Sequence, residues 1–177
     1  MVQELSYVIL PGESRDINLS IDLDTPGQEL KITGLYLCSG DEVVNFNITV
    51  NHRAPGCRST QLIKGIAGGT SRVTFNGRIV VAQDAQKTEA YQENHNILLS
   101  ESARVETQPH LEIYADDVKC SHGATIGRLN PDELFYMRSR GIPRPEAEAL
   151  QMLSFLSPVI PEGRTEEIQS IVKSKML

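Results

Sequence analysis

The sequence predicts a mainly β fold with a C-terminal α appendage, and three observations carry this prediction. Apolar residues alternate with polar ones in several short segments before Gly127, which is the period of a half-buried strand. Turn dipeptides such as Pro26-Gly27 and Pro55-Gly56 separate these segments. After Gly127 the pattern changes to helical spacing. We therefore divide the chain into a β-domain over residues 1–128 and a small helical domain over residues 129–177.

The strand segments recur along the β-domain. The clearest two contain Val44, Phe46, Ile48 and Val50, and then Val73, Phe75, Ile79 and Val81, with Gly77 in the middle of the second. Comparable segments are centred near Phe46, Phe75, Ile97 and Val118, a recurrence of roughly 20 to 30 residues that suits the rungs of a solenoid. A β-sandwich would show the same alternation. The residues alone leave both architectures open.

The first helix is predicted to begin after Asn130. This residue can cap a helix, and the following Pro131, Asp132 and Glu133 provide a proline at the first helical position and acids near the positive end of the helix dipole. We expect this helix to run for about ten residues and to stop at Gly141.

Two more helices are predicted. Pro143 and Pro145 open the second, which ends at Pro158, and the third runs from Thr165 or Glu166 to Lys175. The apolar stripe of the second helix consists of Ala147, Leu150, Met152 or Leu153, and Leu156; that of the third consists of Ile168, Ile171 and Val172. We expect these stripes to pack on each other and on the last β rung.

Composition excludes several classes of protein. The 177 residues, 40% of them hydrophobic, suffice for one folded domain with an appendage. The formal charge of −6 and the absence of a Lys/Arg cluster argue against a nucleic-acid or polybasic membrane surface. No run approaches the ~20 apolar residues that a spanning helix needs, and the start MVQELSYVILPGES lacks the features of a signal peptide. We expect a soluble, cytoplasmic protein.

The cysteines fit a reducing compartment. Cys38, Cys57 and Cys120 are an odd number without CxxC spacing, so neither a disulfide framework nor a zinc ribbon is indicated.

One stretch, LEIYADDVKCSHGATIG from Leu111 to Gly127, places a thiol and an imidazole two residues apart. In a strand, Cys120 and His122 would leave the backbone on the same face. Both are ligands that suit zinc, copper or iron, and Asp116-Asp117 adds oxygen donors just upstream. The alternative is that the cysteine is a small buried hydrophobe and the histidine a hydrogen-bonded core residue.

The polar run from Gln83 to Asn96 also has two interpretations. Its amides, acid and His95 could form the catalytic cluster of a β-helix polysaccharide lyase or hydrolase. Amides stacked from coil to coil, satisfying one another's hydrogen bonds, explain the run more simply.

Five blocks of the chain resemble a known family. They are TGLYLCSGDEVVNFNITVNH (33–52), RSTQLIKGIAGG (58–69), FNGRIVVAQDAQKTEAYQENHNILLS (75–100), LEIYADDVKCSHGATIG (111–127) and LFYMRSRGI (134–142). Together they resemble the SufB/SufD family of iron–sulfur cluster assembly scaffold proteins, and its SufD branch in particular. The resemblance implies a right-handed parallel β-helix, a single-stranded solenoid, followed by a small helical domain. Full-length members have a helical N-terminal region before a longer β-domain, so we expect this chain to be a fragment or a short relative.

The resemblance also implies a function. The chain would be a non-enzymatic scaffold subunit that pairs with a SufB-type subunit and holds a nascent iron–sulfur cluster at the interface, with His122 as the first ligand and Cys120 as the second choice. A SufC-type ATPase would grip the C-terminal helices, with Phe135, Tyr136 and Arg140 as candidate contacts, although Phe135 also fits a core position. The chain has no GxxxxGK[ST] loop to bind nucleotide phosphates itself.

In isolation we expect a homodimer formed through residues 97–126, because the last rung of a solenoid is an open edge.

Departures from the family pattern point to the SufD branch. SufB-like chains carry His-Glu-Ala-Thr where this chain has His122-Gly123-Ala124-Thr125, and they carry a cysteine at about the position of Ala103. The chain is therefore not expected to build a cluster alone. Two alternatives stay open: a β-helix carbohydrate-active enzyme, and a truncated relative that only dimerises.

Overall fold

Nine strands wind into a solenoid of about four turns, and three helices follow. The computed structural model describes residues 2–177. The strands are β1 (Val2–Ile9), β2 (Arg15–Leu23), β3 (Glu29–Cys38), β4 (Val43–His52), β5 (Arg58–Ala67), β6 (Arg72–Val81), β7 (Glu89–Leu98), β8 (Arg104–Ile113) and β9 (Lys119–Gly127). The helices are α1 (Pro131–Ser139), α2 (Arg144–Leu156) and α3 (Thr165–Lys175), with a short 3₁₀ turn at Ser157–Val159.

Successive strands alternate between two parallel sheets, ordered β1-β3-β5-β7-β9 and β2-β4-β6-β8. Each turn of the chain thus adds one strand to each sheet. A β-sandwich is built from antiparallel strands, so the parallel pairing decides between the two architectures that the residues left open. The expected parallel β-helix with a C-terminal helical part is confirmed.

The register shows why the sequence repeat was hard to measure. Phe46 of β4 lies beside Phe75 of β6, and the side chains of Asn18 and Asn47, also in neighbouring turns, are 29 residues apart and hydrogen-bonded. Ile97, by contrast, belongs to β7 in the other sheet. The shorter spacings in the sequence therefore compare strands from different sheets, and a full turn is close to 30 residues.

Amide ladders run between the turns, both within the polar run from Gln83 to Asn96, as predicted, and outside it. On the outer face of the second sheet, Asn76 donates to Asn47 at 2.9 Å and Asn47 donates to Asn18 at 2.8 Å. Inside the solenoid, Gln92 Nε2 donates to Gln61 Oε1 at 3.1 Å. These bonds link equivalent positions of neighbouring turns, so they satisfy polar groups and align the turns at the same time.

The helices pack against the outer face of the first sheet, not on the last rung as expected. Their buried residues share one apolar cluster with the strands, consisting of Leu35, Leu37, Ile66, Ile97, Ala149, Met152, Leu156, Val159, Ile168, Val172 and Met176. The outward residues Leu35 and Leu37 of β3 and Ile66 of β5 are apolar and need this cover. Because the helices turn to the side of the solenoid, they leave its last rung uncovered.

The predicted helix boundaries hold, with one error in the apolar stripe. Asn130 caps α1, since its Oδ1 accepts from the backbone N–H of Asp132 at 3.0 Å and of Glu133 at 3.3 Å. In α2, however, Leu150 is 45% exposed, and Ala149 is buried instead. Among residues 2–177, no helix combines the length and apolarity needed to cross a bilayer.

A buried carboxylate joins the first two turns. Glu42, 4% exposed, accepts backbone N–H bonds from Gly12 at 2.7 Å, Gly40 at 2.8 Å and Ser39 at 3.3 Å. Burial alone would raise the pKa of the Glu42 carboxyl, but these N–H groups more than offset it and the pKa is lowered. Because the pKa of Glu42 is lower in the folded state, its ionised carboxylate stabilises the fold at pH values above the ordinary carboxyl pKa. This contribution is lost as the pH falls through the folded-state pKa.

Replacing Glu42 with Gln should therefore lower the free energy of unfolding by about 1–3 kcal/mol at neutral pH, because the amide cannot accept all three bonds. Urea denaturation at several pH values measures this, and the deficit should shrink as the pH falls below about 4.3. The matched control is Glu13→Gln, an exposed neighbour whose loss should cost within about 0.5 kcal/mol. A deficit that does not change with pH would contradict the charge-based account.

Candidate functional site

The solenoid ends openly at β8 and β9, which we call the open end. Within residues 2–177, β8 pairs only with β6 and β9 only with β7, so each strand leaves a row of backbone N–H and C=O groups unpaired. The inward faces are open as well. Gln92 and Asn94 on β7 are buried, whereas their neighbours His122 and Ala124 on β9 are exposed. Because both the edge and the inner face are exposed, a strand of another molecule could pair with the edge and cover the inner face.

The Cys-x-His pair lies on this surface. Cys120 lies beside Ala90 and His122 beside Gln92 in the β7–β9 register. The two side chains share one face of the strand, as their spacing predicted, and the register shows that this face is the inside of the solenoid. His122 is exposed, and its ring makes no hydrogen bond to any residue from 2 to 177. The alternative of a satisfied core histidine is therefore wrong for this chain by itself.

Cys120 has a different environment. It is half-buried and packs against an apolar cluster that includes Ile79, Val81 and Ala90. Burial raises the pKa of the Cys120 thiol, and a hydrogen bond from the Ala90 backbone opposes the effect only in part. Since the thiolate is the form that binds metals, Cys120 is less ready to act as a ligand than the free imidazole two residues away.

The two aspartates do not complete a metal site. Both are exposed, and Asp117, in the loop before β9, pairs with Lys87, in the loop before β7. Across residues 2–177, no three His, Cys, Asp or Glu side chains are placed to hold a metal ion together. Ala103 is buried and has no ligand atom. One protomer therefore offers at most the imidazole and the thiol.

A second surface lies on α1, which buries none of its residues. Phe135 is 74% exposed and Tyr136 is 58% exposed, so Phe135 is not a core residue. Arg140 donates to the Tyr136 hydroxyl at 3.2 Å, and its guanidinium lies 5.2 Å from the ring centroid. We call Phe135, Tyr136 and Arg140 the α1 patch. It borders a groove of about 830 Å³ that is lined by Tyr136, Leu150 and Phe155, among others.

The structure also contains polar residues that the motif analysis did not single out. The side-chain oxygens of Gln92 (Oε1) and Thr107 (Oγ1) are buried without a hydrogen-bond partner in the described chain. Gln92 lies one turn below His122, and Thr107 is on β8 at the open end. The sequence shows Gln92 within a polar run, but only the register reveals that it faces inward beneath His122.

A further group fastens β9 to β7. On the outer face, His95 lies between Glu93, at 3.0 Å, and the Thr125 hydroxyl, at 2.9 Å. On the inner face, Asn96 Nδ2 donates to the Thr125 backbone oxygen at 3.0 Å. Thr125 is thus held from both sides of the sheet, which steadies the strand that carries Cys120 and His122.

The thiols give a test of this arrangement. At nanomolar protein concentration, where association is minimal, a thiol reagent should label Cys120 while Cys38 and Cys57 stay protected, because both are fully buried. Burial raises the pKa of Cys38 to about 12. The labelling rate of Cys120 should keep rising as the pH passes the ordinary thiol value of about 8.5.

Mass spectrometry of the labelled peptides measures this, and Cys120→Ser is the control that should leave the native protein unlabelled. Labelling of Cys38 or Cys57 in the native state, or a Cys120 rate that levels off near neutral pH, would contradict the described environments.

Comparison with known proteins gives a consistent result. Residues 5–155 match the family described as SUF system FeS cluster assembly, SufBD core domain. The chain is 39% identical over 168 residues to the iron–sulfur cluster assembly protein SufD of Escherichia coli, which covers 95% of this chain and 40% of the relative. It is 35% identical over 141 residues to SufD of Bacillus subtilis, covering 77% of this chain and 32% of the relative.

A plant protein is similar too. The chloroplastic protein ABCI7 of Arabidopsis thaliana is 34% identical over 167 residues, which is 94% of this chain and 35% of that protein. The chain thus spans between 32% and 40% of the length of these curated relatives.

Proposed function

Because the chain belongs to the SufB/SufD family of iron–sulfur cluster assembly proteins, we propose that it acts as a SufD-like, non-enzymatic scaffold subunit. It pairs with a SufB-type subunit through the open end, and a nascent cluster is assembled or transferred at the interface between them. The observation that carries the proposal is the exposure of His122 on the uncovered last strand of the solenoid.

Pairing at the open end is supported by its unsatisfied groups. The free edges of β8 and β9 can hydrogen-bond to strands of a second solenoid, and the exposed inward side chains can pack against a matching rung. Ile126, an inward-facing apolar residue of β9, is 45% exposed and would gain cover. In isolation a second copy of the chain takes the same place and forms a homodimer.

The cluster is the cargo of this interface. His122 binds iron through a neutral ring nitrogen. The ring itself is exposed on the inner face of β9, so a partner can reach it. Cys120 is the second-choice ligand, because the thiol must lose its proton to bind iron and its raised pKa opposes this loss. The partner subunit supplies the remaining ligands.

The energy for assembly comes from an ATPase subunit that docks on the α1 patch. Phe135 and Tyr136 are large aromatic side chains exposed on α1, a helix that buries none of its own residues. Arg140 contacts the Tyr136 ring and restricts its movement. Exposed aromatic and arginine residues of this kind are frequent anchors of protein interfaces. The groove between α1 and α2 lies beside them and can receive a side chain of the ATPase.

The His122 role is tested by His122→Ala in the natural full-length protein. Because the ring is exposed and makes no hydrogen bond within the described chain, folding should be nearly unchanged, with a loss of less than about 0.5 kcal/mol. Complementation of a SufD-deficient cell should nevertheless be abolished. The measurements are the melting temperature and growth under conditions that require the SUF pathway.

His110→Ala is the matched control, because His110 is exposed on the outer face of β8, away from the inner surface. It should complement normally. A His122→Ala variant that is stable and still complements would contradict the ligand role.

The ATPase contact is tested by Phe135→Ala together with Tyr136→Ala. Point variants are preferable to removing the helices, since the helices share a core with the sheet. Binding to a SufC-type ATPase, measured by calorimetry, should weaken by at least about tenfold, as expected for the loss of central aromatic contacts. Val43→Ala, which truncates an exposed apolar residue on β4, should bind normally. Unchanged binding by the double variant would place the ATPase contact elsewhere.

A further inference from the structure

We infer that His95 is a positioning residue for His122: it fastens the edge strand β9 to β7 through the Thr125 hydroxyl and so keeps the proposed ligand in place. This role deepens the proposed function and rests on it, because His122 is the cluster ligand that β9 carries. His95 lies on the outer face of the first sheet, whereas His122 lies on the inner face.

The strand β9 is weakly attached. Within residues 2–177 it pairs with β7 on one side only, and its residues Gly123 and Gly127 contribute no side chain. The ion pair between Lys119 and Glu89, at 3.4 Å, is exposed at the lysine and contributes little to stability. Glycine also increases the conformational freedom that a strand loses on pairing. An edge strand of this kind opens readily unless side chains hold it.

Two attachments lie on either side of His122 along β9. Cys120, two residues before it, packs against the apolar cluster that contains Ala90. Thr125, three residues after it, is the direct neighbour of His95 in the β7–β9 register, and its hydroxyl oxygen lies 2.9 Å from His95 Nδ1. Both ends of this short segment must stay on β7 for the His122 imidazole to keep its place.

The hydrogen bonds around His95 have one consistent direction. A carboxylate only accepts, so His95 Nε2 carries the proton and donates to Glu93 Oε2 at 3.0 Å. In the neutral ring Nδ1 is then the acceptor, and the Thr125 hydroxyl donates to it. Glu93 thus fixes both the tautomer and the orientation of the ring that holds Thr125.

His95 is also partly shielded from water. Its side chain is 23% exposed, and its direct neighbour on β5 is Lys64. Lys64 Nζ donates to the Phe155 carbonyl oxygen at 3.0 Å and lies 4.6 Å from the centroid of the Phe155 ring, so this lysine joins the sheet to the end of α2. Because His95 is flanked by Lys64 and hydrogen-bonded at both nitrogens, it is held more firmly than a free surface histidine.

The second hold on Thr125 comes from inside the solenoid. Asn96 Nδ2 donates to the Thr125 backbone oxygen at 3.0 Å, and Asn96 Oδ1 accepts from the buried Tyr36 hydroxyl at 2.7 Å. Removing the Asn96 amide would leave that hydroxyl unpaired in the core and destabilise the whole solenoid. His95 is therefore the residue at which the attachment of β9 can be changed while the core stays intact.

The test compares His95→Phe, which keeps a planar ring without nitrogens, with Thr125→Val, which keeps the branched shape without the hydroxyl. His95→Asn is the conservative variant, because its side-chain oxygen can accept the Thr125 hydroxyl from the place of Nδ1. Hydrogen exchange followed by mass spectrometry, at nanomolar concentration where association is minimal, measures the opening of residues 119–127. The rate at which a thiol reagent labels Cys120 measures the same opening.

Both rates should rise about three- to tenfold in His95→Phe and in Thr125→Val, the factor expected for the loss of one hydrogen bond. The double variant should be no faster than either single variant, because both changes remove the same bond. His95→Asn should stay near the unmodified rate, and exchange in β3 and β5 should not change. His110→Phe, at an exposed position on the outer face of β8, is the matched control and should behave as the unmodified chain. Unchanged rates in both single variants, or effects that add in the double variant, would overturn the inference.

The consequence for the ligand is tested in the natural full-length protein with a SufB-type partner. A ferrous chelator should remove iron from the assembled cluster about three- to tenfold faster in His95→Phe than in the unmodified protein or in His95→Asn, because each opening of β9 withdraws His122 from the cluster. An unchanged rate of iron loss in a variant whose β9 opens faster would overturn the positioning role. If His122→Ala still complements, the proposed ligand role fails, whereas the fastening of β9 by His95 is decided by the exchange and labelling rates alone.

Discussion

The parallel pairing of each turn with the next is the constraint on which the rest of this structure depends. Inside the solenoid it satisfies the backbone, stacks Phe46 on Phe75, and aligns amides such as Gln61 and Gln92. The same pairing cannot be satisfied at the last turn by the described chain itself, and the helices that could have covered it pack on the side of the first sheet. An uncovered rung is therefore built into the architecture.

The polarity of the core gives that rung its chemistry. In the early turns the inward residues are mostly apolar, whereas near the open end Gln92, Asn94 and Asn96 are buried polar residues. They form a polar layer beneath β9, in which Gln92 is the direct neighbour of His122. Cys120 lies on the same face near the start of β9, where its neighbours are apolar and burial raises the pKa of its thiol.

The fold could be predicted from alternation, turns and caps, because these are local signals that the chain obeys from the first strands to the Asn130 cap. The positions of the helices could not, since the apolar outward residues of β3 that attract them look like ordinary strand residues in the sequence. The exposure of Leu150 could not be predicted either, because the covered face of α2 depends on where that helix packs. In the site, the shared face of Cys120 and His122 followed from their spacing, but the place of Gln92 beneath His122 depends on a register across 30 residues.

The most direct test of the central claim, that the open end is a subunit interface, is sedimentation equilibrium of the isolated chain at micromolar concentration. A charge in the middle of a buried interface is costly, so the unmodified chain should be a dimer and Ile126→Glu on β9 should be a monomer. Val43→Glu, which changes an equally exposed apolar residue on β4, should remain a dimer. A monomeric unmodified chain, or an Ile126→Glu variant that still dimerises, would contradict the account.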